Sequence, residues 1–531
     1  SSLRGMLRSL VEIVAFGKLT SISKKRLFFR SVDDTAIGKY YRDRMTGNVE
    51  AGFLREKDDR YFIKVCGMQR VKRSKLSELV DDNLELYEGR PPNLTPTWDK
   101  ERGCYQYMQV WANPDSEDLC SEEPEEDNFC PARLVITGDM RNKKREFVFY
   151  EPDDDAEEVE VPLEMIERFH DNDQITQWQQ KAFPKDKPKK DWRYRDGMLR
   201  STPSKLGEPV FFLREKGEII FFGRAGMFRL PYRKCPDDLV PLKLCDPRTI
   251  DIAEAIFGFV RAEKQDLESL KNTDIPHQYA GRVFITDAEP IAEQQDWSDW
   301  YTVPFTPHIL SSPKPTSFQH YLIQPRGVSK DNLRHYDSQG IVIRGHKLYW
   351  HRGRKDVQDL DKEGDSKGST SKGTQHTYIK PVKPQKQFAF HIYFENLTAA
   401  ELGVLLWVLK PRGEAGKAYL HKLGMGKPLG MGSVRLAYEL HLINYANRYK
   451  KLLVPEGDAW EIGEIQPPGE QKFLTEFEKQ VPQVRQTGRI KALLRMMEWR
   501  EKDSDQLEYM KLDDFKRRPV LPDATEVAGM S

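Results

Sequence analysis

The stretch HKLGMGKPLGMGSVRL, residues 421–436, places four glycines in nine residues around one lysine and one proline. A nucleotide-hydrolase phosphate loop is excluded because Met431 follows Gly430, and a dinucleotide fingerprint is excluded because Leu429 replaces its third glycine. The remaining pattern, G-x-G-x-x-x-G-x-G, permits positive φ angles and lets phosphates or bases approach main-chain N–H groups without a Cβ in the way. An alternative interpretation is a loop whose glycines only serve tight turns.

The segments on either side of this loop alternate between strand and helix patterns. QFAFHIYFE, residues 387–395, has aromatic and aliphatic side chains at every second position, which is typical of a half-buried strand. TAAELGVLLWVLK, residues 398–410, opens with a capping box and continues as an apolar helix, and VRLAYELHL, residues 434–442, alternates again. Strand, helix, glycine loop and strand form half of a ferredoxin-like unit, and the amphipathic helix predicted for residues 2–16 is a natural member of the other half.

The charge of the chain is balanced overall but segregated locally. At 531 residues the chain is longer than one hydrophobic core usually supports, so we expect two or more folded units. Its 84 basic and 83 acidic side chains nearly cancel. Residues 1–30, however, contain seven bases and one acid, whereas residues 113–130 contain eight acids and no base. The neutral total is therefore no argument against a polyanionic partner.

Targeting and cysteine patterns indicate a cytoplasmic protein. The sequence has no long apolar run and no signal-peptide pattern, so no membrane partner is expected. The six cysteines include no C-x-x-C pair, which favours reduced, partly buried thiols over a zinc site, and no strongly bound cofactor is expected. The chain begins within a helical pattern, SSLRGMLRSL, which suggests that further residues precede it.

Several other segments have recognisable local patterns. They are strands at 61–74, 132–138 and 145–152, a hairpin at 209–230, a basic connection at 181–197, an ordered projecting loop at 297–326 and a disordered segment at 356–376. The basic connection could bind a polyanion, although such runs are most often solvated loops.

Four motifs together resemble the CRISPR-associated RAMP superfamily. SSLRGMLRSLVE resembles the first helix, whose family pattern is G-S-S-[LI]-[RK]-G, and HKLGMGKPLGMGSVRL resembles the C-terminal glycine-rich loop. IFGFV followed by YAGRVFITDA resembles the F-G and G-R-[VL]-x-[FI]-x-D-A segments, and FENLTAAELGVLLWVL resembles the second helix with its preceding strand. The motifs occur in family order across residues 1–436, with the strongest likeness to the backbone-forming subunits of type III effector complexes.

The resemblance implies an α+β fold on a ferredoxin-like, RRM-type RAMP palm with large insertions and a thumb-like hairpin. It further implies a scaffold subunit that holds guide RNA by its phosphates and shape, with target RNA, neighbouring RAMP subunits and other effector-complex proteins as partners. A basic helix N-terminus and a glycine-rich main chain suit that role because neither depends on base identity.

The residues expected to contact RNA lie in the first helix, the basic segment after it, the thumb-like loop 305–320 and the glycine loop. They are Ser1, Ser2, Arg4, Arg8, Lys24, Lys25, Arg26, Phe318, His320, Gly424, Gly426, Lys427, Gly430 and Gly432. The two rings of the thumb-like loop would stack on bases where a hairpin kinks the guide. Each ring could instead be a core residue.

The resemblance also implies a division of the chain into six segments. They are the N-terminal part of the palm, with its first strand missing upstream (1–102), an acidic, protein-contacting insertion (103–200), palm strands with the thumb-like loop (201–355), a disordered linker (356–380), the C-terminal half of the palm (381–450) and a C-terminal extension (451–531).

The question of catalysis stays open at this point. Family members that cut target RNA use an aspartate in a loop before the first helix, and that loop would precede residue 1, so no catalytic residue is assignable here. A divalent cation such as Mg²⁺ would take part only if target RNA is cleaved. Asp33 and Asp34 could approach RNA, although paired acids in a loop are usually solvated. The alternative function is a guide-RNA-processing endoribonuclease with His421 as candidate base, and a single-strand RNA-binding protein outside CRISPR is a third.

Overall fold

Two compact units make up the described part of the chain. A computed structural model describes residues 2–20, 22–78, 107–120, 122–135, 144–169, 206–261, 270–271, 273–291, 299–307, 310, 314–353, 377–450, 464–465, 467–485, 487–500, 507, 510 and 517–527. Unit 1 comprises Ser1–Ser23, Asp237–Ile323 and Val342–Ser531, and unit 2 comprises Lys24–Pro236 and Gln324–Ile341. The chain therefore enters unit 2 twice and returns to unit 1 each time.

The helices are short. They are α1 (Ser2–Val14), α2 (Ala36–Met45), α3 (Leu163–Phe169), α4 (Ile252–Phe257), α5 (Ala399–Leu409), α6 (Tyr445–Lys450), α7 (Gln471–Gln480) and α8 (Gly488–Met497). The helix predicted for residues 2–16 is confirmed as α1. The capping box predicted for α5 is also confirmed, because Thr398 and Glu401 each accept the other's main-chain N–H through their side chains. A helix with the length and apolar composition of a membrane span is absent from the described ranges.

The strands are longest in unit 2, and every pair among the described strands is antiparallel. They are β1 (Phe28–Phe29), β2 (Val49–Lys57), β3 (Arg60–Cys66), β4 (Met68–Lys72), β5 (Tyr107–Ala112), β6 (Leu119–Cys120), β7 (Cys130–Val135), β8 (Arg145–Tyr150), β9 (Glu158–Val161), β10 (Glu208–Glu215), β11 (Glu218–Gly223), β12 (Leu230–Pro231), β13 (Phe259–Val260), β14 (Gln278–Tyr279), β15 (Val283–Ile285), β16 (Glu289–Pro290), β17 (Phe388–Ala389), β18 (Ile392–Phe394), β19 (His421–Lys422), β20 (Ser433–Val434), β21 (Leu442–Ile443) and β22 (Glu464–Ile465).

Unit 2 is built on two antiparallel sheets. Their strand orders are β11-β10-β2-β3-β9 and β4-β8-β7-β5-β6. Phe149 of the second sheet contacts Phe53 and Phe211 of the first, with ring centroids 6.2 and 4.9 Å apart in edge-to-face arrangements. Buried aromatic pairs favour such edge contacts and remove large apolar areas from water, so these rings hold the two sheets together.

The strands predicted in unit 2 are present, with one difference. The segment 61–74, predicted as one strand, forms β3 and β4, which belong to different sheets, whereas β7 and β8 overlap the segments predicted at 132–138 and 145–152. β10 and β11 form the predicted hairpin. At its turn, Lys216 and Gly217 have φ angles of 53° and 87°, the positive pair that a two-residue type I′ turn requires.

The segment 103–200 does not fold apart from the strands around it. Its strands β5 to β8 complete a sheet with β4, and its strand β9 pairs with β3 in the other sheet. The acidic run at 113–130 lies between β5 and β7. Backbone pairing therefore joins the described strands of this segment to β3 and β4, which precede it in the chain. The disordered segment predicted at 356–376 and the basic connection predicted at 181–197 lie outside the described residues.

The core of unit 1 forms around α5, which is apolar on all sides. Nine of its eleven residues are buried, and α1 and α7 both pack directly against it. Leu7 of α1, Phe477 of α7 and Leu493 of α8 belong to the same buried cluster. A helix with no polar face needs cover on every side. The segment predicted as a C-terminal extension, 451–531, supplies part of that cover.

Short strand pairs complete unit 1. β15 pairs with β18 in the register Val283↔Phe394 and Ile285↔Ile392, and these four side chains pack on the α5 core. The predicted strand at 434–442 alternates between half-buried and exposed residues throughout, although only its two ends are paired, as β20 and β21. The fold is therefore α+β with antiparallel strands, as the sequence predicts.

The close contact between α5 and α7 depends on Gly403. A Cβ at this position would come within 2.7 Å of the Phe473 carbonyl carbon. We expect Gly403→Ala to lower the free energy of unfolding by about 1–3 kcal/mol, because α7 would have to move away from α5. Urea denaturation followed by fluorescence and circular dichroism measures this loss.

Gly5 provides the matched control within the same core unit. It is an exposed residue of α1, and no atom lies within 4 Å of the position that its Cβ would take. Gly5→Ala should therefore stabilise the protein by roughly 0.5–1 kcal/mol, since alanine loses less conformational entropy in a helix. Equal losses from the two substitutions would contradict a close approach of α7 at Gly403.

Candidate functional site

The glycine-rich stretch is the turn of a short hairpin. β19 pairs with β20 in the register His421↔Val434 and Lys422↔Ser433, so residues 423–432 form the connection. All four of its glycines lie in the left-handed region, with φ angles of 83°, 68°, 98° and 73° at Gly424, Gly426, Gly430 and Gly432 respectively. The positive φ angles expected from the glycine spacing are confirmed, and side chains other than glycine would be strained at each position.

Three of these glycines also meet a steric requirement. Gly426 precedes a single 3₁₀ turn, Gly430 ends it, and the Leu423 N–H donates to the Gly432 carbonyl at 2.8 Å. A Cβ at Gly432 would collide with the Leu423 carbonyl oxygen, whereas a Cβ at Gly424 would meet no atom within 4 Å. Turn formation therefore accounts for most of the loop, while the backbone at Gly424 is left open to solvent.

Three cations converge on this turn, and we call Lys422, Lys427 and Arg352 the loop cations. The Lys422 ammonium donates to the Gly430 and Met431 carbonyls at 2.8 and 3.0 Å. Arg352 lies against the turn, since a Cβ at Gly430 would come within 3.0 Å of the Arg352 Cβ. Burial, reinforced by the charges of Arg352 and Lys427, lowers the pKa of Lys422 to about 8. The turn therefore concentrates positive charge around Lys422, whose charged form is destabilised there, and a bound anion would stabilise it.

Two buried histidines hold the hairpin in place through hydrogen bonds. The His351 ring lies 2.8 Å from the Ser433 hydroxyl and 3.0 Å from the Leu420 carbonyl, and burial lowers its pKa to about 4. The ring is thus neutral at pH 7, with Nε2 donating to the carbonyl and Nδ1 accepting from the hydroxyl. His421 is only 2% exposed, and its Nε2 lies 2.7 Å from the Val408 carbonyl. His421 is therefore a structural residue that ties the hairpin to α5.

The two arginines of α1 have partners inside unit 1. Arg4 donates to the carbonyls of Val283 and Phe257 at 2.9 and 2.6 Å, and Arg8 donates to the Gly258 carbonyl at 3.0 Å. These contacts bring the first helix together with the F-G and G-R-V segments. Removing either guanidinium would leave main-chain carbonyls without a donor, so alanine variants here would perturb folding as well as any RNA contact.

Arg282 connects the G-R-V segment to α4 and α5 in the same way. Its guanidinium donates to the Ala255 and Asn396 carbonyls at 3.1 and 2.6 Å and pairs with the Glu401 carboxylate. Sequence reasoning included Arg282 in a motif without giving it a role, and it assigned no role to Lys422, Arg352 or His351. The position of Lys422 directly before the glycines was a usable signal. Arg352 is about 70 residues away in the chain, and no sequence pattern connects it to the turn.

The other predicted contact residues are divided between the units. Ser1 lies outside the described residues, and Ser2 is the exposed first residue of α1. Lys24, Lys25 and Arg26 are exposed residues at the start of unit 2, directly before β1. Unit 1 therefore contains the α1 and glycine-loop candidates, whereas the basic tripeptide belongs to a different unit.

The thumb-like loop differs from its prediction. Phe318 is only 4% exposed and begins a single 3₁₀ turn that ends at His320, whose pKa is lowered by burial. No hairpin occurs in the described part of 305–320, where Phe305 forms a bridge to Ile379. The interpretation of Phe318 as a base-stacking ring is corrected to that of a core residue, because its apolar ring is covered by the surrounding chain.

The acidic candidates have local structural roles. The Asp33 carboxylate accepts from the Ser31 and Thr35 hydroxyls, and Thr35 is the N-cap of α2. Over the ranges that the structure describes, no group of three or more His, Cys, Asp or Glu side chains is arranged to hold a metal ion.

Comparison with known proteins adds no relative from which a role can be transferred. No protein-family model matches the chain, and no curated protein matches it either. The functional interpretation therefore depends on the residues themselves.

The low pKa of Lys422 is directly measurable. In a ¹³C NMR titration of the lysine side chains, we expect one resonance to titrate near pH 8 and to disappear in Lys422→Arg. Lys427→Gln should raise this midpoint only part of the way to the ordinary lysine value, since burial is the larger cause. Lys472→Gln, which removes an exposed charge from α7, should leave it unchanged. A midpoint of Lys422 at the ordinary lysine value would contradict the burial and charge crowding described here.

Proposed function

We propose that this chain binds RNA along unit 1 as a guide-RNA-binding scaffold subunit of a type III RNA-targeting effector complex. The observation that carries the proposal is the group of loop cations beside a turn of four left-handed glycines. Such a turn offers open main chain at Gly424 and fixed positive charge to a phosphate, and neither contact depends on the base attached to it. A guide of any sequence could therefore be held.

The electrostatics of the turn support an anionic ligand. Lys427 is half-buried, and no carboxylate or acceptor among the described residues engages its ammonium group. Lys422 uses two of its three N–H donors on the loop itself, which leaves the third for a ligand. Like charges held this close repel one another, and a phosphate placed between them would offset the repulsion.

The order of elements in unit 1 supports a ferredoxin-like RAMP palm. α1, β15, β18, α5 and the extended segment 434–442 occur in this chain order as helix, strand, strand, helix and strand, with shorter elements between them. That order corresponds to five of the six elements of a β-α-β-β-α-β unit. The two helices pack on each other, and the inward side chains of the strands contact the same core. This arrangement agrees with the four sequence motifs that resemble the RAMP superfamily.

The alternative of a guide-processing endoribonuclease has less support. Its candidate base, His421, is buried and hydrogen-bonded to a main-chain carbonyl, so it could not reach a ribose hydroxyl without rearrangement. Target RNA, neighbouring RAMP subunits and a Mg²⁺-dependent cleavage step remain parts of the proposal that concern the assembled complex. Cytoplasmic location is likewise part of it.

Purification from the native host tests the proposal most directly. We expect the full-length protein to recover repeat-derived guide RNA together with other RAMP proteins, because a scaffold subunit keeps its guide through purification. Sequencing of the bound nucleic acid and mass spectrometry of the proteins measure this. Heterogeneous RNA, or none, would count against a guide-binding role.

Lys427 tests the phosphate contact in isolation. For single-stranded RNA, Lys427→Gln should weaken binding to the same extent for every sequence and reduce the salt slope by about 0.7, since one phosphate contact is lost. Binding isotherms at several salt concentrations measure both. Lys472→Gln removes the same charge from the exposed surface of α7 and should bind as the wild type does. A slope in Lys427→Gln equal to that of the control would rule out the contact.

A further inference from the structure

The solvent-exposed aromatic rings are concentrated in unit 1. Among the described residues, every tyrosine and phenylalanine counted as exposed belongs to unit 1, and the rings of unit 2 are buried or half-buried. The exposed rings are Tyr279, Phe284, Tyr301, Tyr378, Phe388, Tyr393, Tyr445 and Tyr449. Single exposed apolar residues are normal on a protein surface, but a one-sided concentration of rings indicates a binding surface.

Two of these rings, together with the ring of His391, lie on the outward face of the β15–β18 pair. Successive strand residues point to opposite sides, and the inward residues of both strands pack on the α5 core. Phe284 and Tyr393 are cross-strand partners on the outward side, 52% and 59% exposed. The His391 ring stacks on Tyr393, with centroids 5.8 Å apart and planes at 14°. We call Phe284, His391 and Tyr393 the aromatic face.

The backbone holds the aromatic face in position. The Thr286 N–H donates to the His391 carbonyl at 3.0 Å, and the His391 N–H donates to the Thr286 hydroxyl at 2.9 Å. On the inward side, the fully buried Val283 packs the strand pair against the α5 core. Rings presented on a fixed strand pair lose little conformational freedom when a flat ligand stacks on them, so binding is favoured.

The segment that leads to the aromatic face is basic. TYIKPVKPQKQFAFHIYF, residues 377–394, interleaves three lysines with five aromatic residues and contains no carboxylate. Lys383 and Lys386 both pair with the Asp299 carboxylate, so the three lysines outnumber the one acid that engages them. Lys380 Nζ lies 4.9 Å from the centroid of the exposed Tyr301 ring. Bases interleaved with rings are typical of proteins that bind single-stranded nucleic acid, where phosphates and bases are contacted together.

We propose that the aromatic face is a stacking platform for unpaired RNA bases. Every base has a π surface, so stacking on Phe284 and Tyr393 would hold a single strand without reading its sequence. The proposal rests on the proposed function and adds a base-contacting surface to the phosphate contact of the loop cations. It also replaces the thumb-like loop as the source of stacking rings, since Phe318 is buried.

Substitution of both rings by threonine tests the platform. Threonine is favoured in strands, so Phe284→Thr/Tyr393→Thr should keep the strand pair while removing the π surfaces. The probe is a single-stranded RNA containing 2-aminopurine, bound to the full chain. We expect the double variant to bind at least about tenfold more weakly. It should also lose the fluorescence quenching that stacking causes, with the salt slope unchanged.

Control variants separate stacking from folding. Leu242→Thr removes an exposed apolar side chain of unit 1 that lies outside the aromatic face, and it should bind as the wild type does. Tyr393→Phe keeps the π surface and should retain both affinity and quenching. If the double variant fails to fold by circular dichroism, the single variants Phe284→Thr and Tyr393→Thr replace it, each with a smaller expected loss of quenching.

The outcomes distinguish the stacking platform from the proposed guide-RNA-binding function. A wild-type chain that binds no single-stranded RNA would overturn the proposed function and the platform together. A wild-type chain that binds RNA, with a folded double variant that binds and quenches equally well, would overturn the platform alone. Unchanged RNA binding combined with loss of a protein partner from the double variant would assign the face to protein contact instead.

Discussion

The burial of α5 is the constraint on which unit 1 depends. Its apolar residues point in every direction, and each large side chain removed from water contributes roughly 1.5–3 kcal/mol to stability. Cover must therefore come from several directions at once. α1 supplies it from the start of the chain, α7 and α8 from near its end, and the strands β15 and β18 from between. Segments hundreds of residues apart come into contact because α5 has no polar face that could remain exposed to solvent.

Main-chain carbonyls impose a second requirement, and arginines meet it. Arg4 and Arg8 reach from α1 to the carbonyls of residues 257, 258 and 283, and Arg282 reaches carbonyls near α4 and α5. Irregular connections between short strands leave such acceptors unpaired, and unpaired buried acceptors destabilise a fold. The same arginines that suggested RNA contact in the sequence thus organise the motif segments internally. The phosphate contact is therefore proposed for the loop cations, which lie beside the glycine turn.

Phosphate and base recognition are proposed for two different surfaces of unit 1. The glycine turn has little side-chain bulk and much positive charge, which suits a phosphate. The aromatic face has exposed rings, which suits bases, and the segment that leads to it has three lysines against the single carboxylate of Asp299. Holding a guide RNA of arbitrary sequence needs contacts with phosphates and with base surfaces, and it needs no hydrogen bond that identifies a particular base. Unit 2, with its aromatic rings turned inward between two sheets, lacks exposed rings among its described residues.

Local sequence pattern was sufficient for the elements that depend on near neighbours. The α1 helix, the α5 capping box, the Lys216-Gly217 hairpin and the positive φ angles of the glycine turn were all predictable, because propensity, capping and backbone sterics act within a few residues. The joining of 103–200 to the sheets of unit 2, the burial of Phe318 and the approach of Arg352 to the turn were decided only by tertiary structure. Each depends on contacts between residues far apart in the chain, and no spacing rule encodes which distant side chain will cover or crowd another.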